Sequence, residues 1–321
     1  MVDEGLPSTM GKAEARREAT TRLFRSVRAG RAWVREAALN QNTPPPAGSI
    51  MLKPGDDNVP VFMIPGAPGS VLQLGPIASN VGWPGPVYAI KPRGFEEGEI
   101  PFERLEDMAD YNIGVIAGIR PNGPYILIGY SVGGLIALEM ARRLAAGGNE
   151  VPVVVLLDTY PSRQLWPLHL HIAILARHVS KSIWGLRRYR LSRATRYLSD
   201  RSQTLRWYLA QCGVRGMRAA PLIPEGASPA SRRLHQATVS AGEAYCPARY
   251  AGRVVFLQPH DKGNLKPRSP EQVWRRYLPM LEVRRIPGSH LTLVETDAAS
   301  TGAAIARCVT DALGLPRLII P

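Results

Sequence analysis

A serine set among glycines, directly after a short apolar run, is the residue of this chain whose surroundings best fit chemistry. Gly129-Tyr130-Ser131-Val132-Gly133-Gly134 is a G-x-S-x-G pattern, with Tyr125-Ile126-Leu127-Ile128 before it and a helical pattern from Leu135 to Leu144 after it. Strand, sharp turn and helix are the setting in which this pattern holds a nucleophile. The turn strains the serine backbone, so flanking glycines are needed for clearance, and the hydroxyl projects above the sheet. The other reading is a glycine-rich turn that merely packs tightly. The flanking strand and helix favour a nucleophile at Ser131.

A serine hydroxyl needs a base, and the base needs a carboxylate to orient it. Six histidines are present: His169, His171, His178, His235, His260 and His290. The first four fall in a helical stretch. His290 follows the last strand pattern in Ile286-Pro287-Gly288-Ser289-His290, in the order serine, acid, histidine expected of such sites. Two acids compete for the third place. Asp158 ends the run Val151 to Leu157, and Asp261 ends Gln258-Pro259-His260-Asp261. Both sit at strand C-termini, and spacing alone leaves them even. An oxyanion would be met by the Val132 N–H and a second N–H from the loop Pro65-Gly66-Ala67-Pro68-Gly69-Ser70. Prolines cannot donate, so Ala67 leads and Gly66 is second. No G-K-[ST] follows this loop, which argues against a phosphate cradle.

The elements that must position these groups follow from periodicity. Strands are predicted at Ile50-Lys53, Pro60-Ile64, Val87-Lys91, Tyr125-Ile128, Pro152-Leu157, Arg253-Gln258 and Glu282-Ile286. Helices fall between them, at about Phe102 to Ile119, Val132 to Ala146, Pro270 to Tyr277 and Ala298 to Leu313. Apolar runs without alternation, such as Val153-Val154-Val155-Leu156-Leu157, predict strands buried on both faces, hence a mostly parallel α/β sheet flanked by helices. Between 162 and 248 the rhythm changes to helices alone, at His169 to His178, Ile183 to Tyr197, Thr204 to Gln211 and Arg232 to Tyr245. An insertion after a strand end lies over the strand C-termini, where ligands bind, so it is read as a lid. Residues 1–46 form a separate basic helical appendage, ending in Pro44-Pro45-Pro46. A surface helix docked on the body is favoured there over one for an anionic membrane. The remaining 47–321 make one domain.

Net charge is +14, and residues 162–250 carry fifteen basic side chains against three acidic ones. Three scattered cysteines without C-x-x-C spacing argue against a disulfide framework or a zinc site. No secretory leader and no span-length apolar run are read, which suggests a cytoplasmic setting. Nucleic-acid binding is disfavoured because no recognition motif accompanies the charge.

Taken together, Phe62-Met63-Ile64-Pro65-Gly66, Pro121-Asn122-Gly123-Pro124-Tyr125 leading into Gly129 to Gly134, Leu138-Glu139-Met140-Ala141, Leu156-Leu157-Asp158-Thr159-Tyr160-Pro161 and Pro287-Gly288-Ser289-His290 resemble the thioesterase domain of nonribosomal peptide and polyketide synthases. The likeness runs from about Leu52 to Leu313. It implies an α/β-hydrolase fold with a helical lid after the sixth core strand. It also implies Asp158 as the acid, with Asp261 as fallback, so that Ser131, His290 and Asp158 form the triad, with Ala67 and Val132 as oxyanion donors. The implied chemistry is release of an acyl chain from a carrier protein's phosphopantetheine arm through an acyl-serine, with no metal or cofactor in the enzyme. An acidic carrier protein would suit the basic lid; a solvated arginine-rich face is the even alternative. Beginning at Met1 without a carrier module, the chain reads as free-standing. Rival readings are a carboxylesterase or lipase on small or lipid esters, a non-catalytic docking protein of the same fold, and peripheral membrane contact.

Overall fold

The computed structural model describes residues 46–67, 70–96, 98–186, 191–214, 227–261 and 265–315. The expected appendage lies, apart from Pro46, outside the described residues. The body begins with β1 (Ser49–Lys53) and β2 (Val61–Ile64), then α1 (Gly75–Asn80), β3 (Val87–Ile90) and α2 (Leu105–Ile119). The elbow joins β4 (Ile126–Tyr130) to α3 (Val132–Ala146), and β5 (Val153–Leu157) follows. Helices α4 (Leu168–Leu186), α5 (Leu191–Gln211) and α6 (Pro229–Ala244) come next. The chain then returns through β6 (Val254–Asp261), α7 (Glu271–Trp274), β7 (Leu281–Ser289) and α8 (Ala298–Ala312).

Among the described residues the strands form a seven-stranded sheet in the order β1-β3-β2-β4-β5-β6-β7. β1 pairs antiparallel with β3, and the other neighbours are parallel. The reason is visible in β5, whose five residues Val-Val-Val-Leu-Leu are all buried. Val153, Val155 and Leu157 enter the core beneath α1 and α8, whereas Val154 and Leu156 enter the core beneath α2 and α3. Burying each such side chain contributes about 1.5–3 kcal/mol. That exceeds the roughly 1–2 kcal/mol of entropy lost in fixing one backbone unit, so the run holds as a central strand. This is the α/β-hydrolase fold, a mostly parallel sheet flanked by helices.

Between β5 and β6 the described secondary-structure elements are helices, and the insertion follows the fifth strand of this chain. Its first part has an apolar core of its own, in which Trp166, Leu170, Ile174 and Tyr208 pack with Leu265 and Val273.

Several boundaries differ from the sequence expectation. Breaks expected near residue 180 and residue 200 are absent, and α4 and α5 run through them. No glycine or proline stands at either place, and the serines bond back into the helix: Ser180 Oγ to Ala176 O at 2.8 Å and Ser182 Oγ to His178 O at 2.7 Å. Helix α7 is one turn where two were expected. Helix α1 was not among the expected helices; its proline occupies the first turn, where its missing N–H costs nothing. β6 and β7 extend to Asp261 and Ser289, which pair across the sheet.

Candidate active site

Ser131 stands between the last residue of β4 and the first of α3, at φ 56° and ψ −126°. A side chain in that region carries backbone strain of about 1–3 kcal/mol, which surrounding contacts must hold. Ser131 N–H donates to Leu157 O at 3.0 Å, and the Thr159 hydroxyl donates to Ser131 O at 2.8 Å. The flanks must be glycine for want of room. A Cβ on Gly129 would lie 2.3 Å from Gly134 Cα, and one on Gly133 would lie 2.3 Å from Pro65 O. The second contact also presses the Pro65–Ala67 loop against the start of α3.

Asp158, one residue past β5, is the other described non-glycine residue with positive φ, at 47°. Its carboxylate is buried, and Oδ2 lies 2.7 Å from His290 Nδ1. Donation from Nδ1 leaves the Nε2 lone pair as the basic position of the ring. His290 follows β7 directly and is held on a second side: Tyr130 OH donates to His290 O at 2.7 Å, and the two rings stack with centroids 5.0 Å apart. The structure thus brings together Asp158, His290 and the residue next to Ser131. Asp261 lies exposed at the end of β6, with its backbone opposite Ser289.

Val132 is the first residue of α3, where helical N–H groups have no intrahelical acceptor. Ala67 lies on the loop packed over that helix start. Gly66 lies so near that a Cβ there would sit 3.1 Å from the Ser131 Cβ. Beside this loop opens a small, mostly apolar cleft, lined by Gly66, Met108, Ile136 and Thr238, with Arg93 and Asn112 as further polar members.

Three contributors were not evident in the sequence. Lys266 Nζ reaches Asp158 Oδ2, the same oxygen that receives His290. Burial pushes the Asp158 carboxyl up, but the hydrogen bond from His290 and the charge of Lys266 outweigh it and hold it below the usual carboxylate value. Tyr130 was visible only as the variable residue of G-x-S-x-G, and Thr159 only as the residue after the acid. Burial, and then the charge of Asp158, push the Tyr130 phenol up, so it remains a neutral donor. Among the described residues there is no group of three or more His, Cys, Asp or Glu that could hold a metal ion, and no helix is long and apolar enough to cross a membrane.

A strained serine at a strand–helix elbow, on a mostly parallel sheet covered by helices, is the architecture of the α/β-hydrolase fold. The family model of the thioesterase domain matches residues 59–200, somewhat less than half of the chain, and through them the chain is similar to that family. The nonribosomal peptide synthetase btyA of Aspergillus terreus is 27% identical over 288 residues, covering 83% of this chain and 30% of that protein. Atromentin synthetase nps3 of Serpula lacrymans is 37% identical over 105 residues, covering 33% of this chain and 11% of that protein. The chain thus spans less than a third of either relative. Among solved structures, the NocB thioesterase domain in covalent complex with a fluorophosphonate nocardicin G analog matches with TM-score 0.52 at 24% identity, covering 80% of this chain and 95% of that one. The type II thioesterase BorB from the borrelidin cluster matches with TM-score 0.54 at 19% identity, covering 85% and 100%. At these identities the two structures speak for the fold.

Proposed function

We propose that this protein is a thioesterase that releases acyl chains from the phosphopantetheine thiol of a carrier protein, with Ser131 as nucleophile, His290 as base and Asp158 as orienting acid. The observation that carries the reading is the 2.7 Å contact of His290 Nδ1 with Asp158 Oδ2, set beside the strained elbow that presents Ser131. His290 Nε2 takes the serine proton as Ser131 Oγ attacks the thioester carbonyl. The Val132 and Ala67 N–H groups receive the oxyanion. The thiol departs with the proton from His290, and water or an internal nucleophile then cleaves the acyl-serine. Side chains and backbone supply each step, so no metal or cofactor is required of the enzyme.

The cleft beside Gly66 suits the acyl chain, and the fifteen basic residues of the 162–250 segment suit an acidic carrier. The test offers acyl-carrier thioesters, acyl-N-acetylcysteamine thioesters and p-nitrophenyl esters to wild type and Ser131→Ala. Turnover of the thioesters that vanishes in Ser131→Ala, and falls at least about a thousandfold in Asp158→Asn, is expected. Turnover of simple esters alone would make the protein a carboxylesterase. Equal fluorophosphonate labelling of wild type and Ser131→Ala would remove Ser131 from the chemistry.

A further inference from the structure

We infer that Lys266 is a positioning residue of this site, sharing Asp158 with His290 and balancing the charge of the buried carboxylate that orients the ring. The inference rests on the catalytic reading above. The Asp158 side chain is wholly buried, and its Oδ1 has no hydrogen-bond partner. Its polar contacts therefore converge on Oδ2, which meets both His290 Nδ1 and Lys266 Nζ. A buried carboxylate needs charge compensation, and a neutral imidazole supplies a hydrogen bond but no charge. Lys266 supplies the charge.

Its placement is built from both sides. The ammonium also lies 5.5 Å from the centroid of the Tyr160 ring. Its backbone is held by the lid: Arg177 Nη2 donates to Lys266 O at 2.6 Å, and Arg163 Nη1 donates to Leu265 O at 2.8 Å. Arg163 is itself wedged over the rings of Trp166, Trp207 and Tyr208, at 5.0, 5.2 and 4.7 Å.

Among the described residues, charged or titratable groups near His290 are Asp158 at the end of β5, Tyr130 at the end of β4, Asp261 opposite Ser289 at the end of β6, and Glu295 and Asp297 on the turn that follows the histidine. Lys266 adds a cation beside Asp158. A cation on Asp158 weakens the negative potential felt by the ring, so the imidazolium gains less from the pair. Without that cation, Asp158 would hold a proton on His290 more strongly.

The experiment measures the second-order rate of Ser131 modification by a fluorophosphonate from pH 5 to 9, in wild type and in Lys266→Gln, Lys266→Met and Lys266→Arg, with Ser131→Ala as blank. The methionine keeps an apolar stem against Tyr160, and thermal melts confirm that each variant is folded. The acidic limb is expected to move up by about half to one pH unit in the Gln and Met variants and to stay in place in Arg, with the alkaline plateau retained. At pH 6 this is a slowing of roughly three- to tenfold. Unmoved limbs in folded Gln and Met variants, or an Arg limb displaced like theirs, would overturn the role of Lys266. Labelling of wild type that does not depend on Ser131 would instead overturn the catalytic reading itself, a distinct result.

Discussion

The ring of Tyr130 lies stacked on the ring of His290, and its hydroxyl is bonded to the backbone oxygen of that histidine at 2.7 Å. The residue before Ser131 therefore holds His290 from beneath, while Asp158 holds it from the side. Tyr130→Phe keeps the stack and loses the hydroxyl. Leaving one buried carbonyl unpaired costs about 1 kcal/mol, so kcat on a soluble acyl thioester should fall roughly three- to tenfold with KM little changed. Steady-state kinetics at saturating and limiting substrate separate the two. An unchanged kcat would mean that Asp158 alone orients the ring.

The strain at Ser131 gives a stability test that is independent of substrate. Glycine relieves the positive φ but gains unfolded-state freedom, whereas alanine keeps the strain. Ser131→Gly should therefore be more stable than Ser131→Ala by about 1 kcal/mol, both being inactive. Urea unfolding of the two variants measures the difference.

Glu139 is the buried carboxylate of α3, receiving Arg142 Nη2 at 2.6 Å, Arg143 Nε at 2.7 Å and Tyr245 OH at 2.8 Å. Burial pushes its carboxyl up, and the hydrogen bonds from Arg142, Arg143 and Tyr245 bring it down to about 2 from its ordinary 4.5. The folded state thus binds this proton less readily than the unfolded chain. Its contribution, on the order of 2–3 kcal/mol, is complete above about pH 5 and is lost as pH falls toward 2. Wild-type stability should drop through that window, and Glu139→Gln, weaker at pH 7, should show a flatter profile. Urea midpoints at half-unit pH steps provide the check.

If the basic 162–250 segment steers an acidic carrier, salt should act on one substrate class only. Between 50 and 300 mM NaCl, kcat/KM for acyl-carrier thioester should fall about tenfold, while that for acyl-N-acetylcysteamine changes less than about twofold. Parallel losses would deny the charge a docking role.

Thr238 on α6 faces the cleft beside Gly66. Thr238→Phe would fill part of it, at a folding cost of about 1–3 kcal/mol. Activity on acetyl thioester should persist, and activity on longer acyl chains should drop at least tenfold if the cleft receives the acyl group. A chain-length series decides the matter.

Much of this architecture could be read from the sequence because the central strands are apolar runs of a length helices do not use. β5 is five buried residues, bounded by Pro152 and Asp158. The elbow was legible because backbone crowding demands glycine at 129 and 133, a demand that leaves a trace in the sequence. The choice between Asp158 and Asp261 left no such trace. Both end strands, and only tertiary geometry shows Asp158 against His290 while Asp261 lies exposed. Lys266 was hidden for the same reason: it stands on an irregular loop, and its partner is more than a hundred residues away in the chain. The helix bounds expected near 180 and 200 did not hold, because a serine that returns its hydroxyl to the preceding turn can stay within a helix.

Leu265 is buried in the small apolar core of the helical insertion, and the next residue, Lys266, touches Asp158. One peptide unit, with consecutive Cα atoms about 3.8 Å apart, joins the packing of the lid to the charge beside the histidine. The backbone link is short, and only the four-carbon stem of the lysine can absorb a shift of the insertion. If the insertion lifted by a single helical pitch of about 5.4 Å, carrying Leu265 with it, the ammonium would be drawn away from the carboxylate. Under the function proposed above, uncovering the cleft and loosening the charge pair at Asp158 would then be one movement.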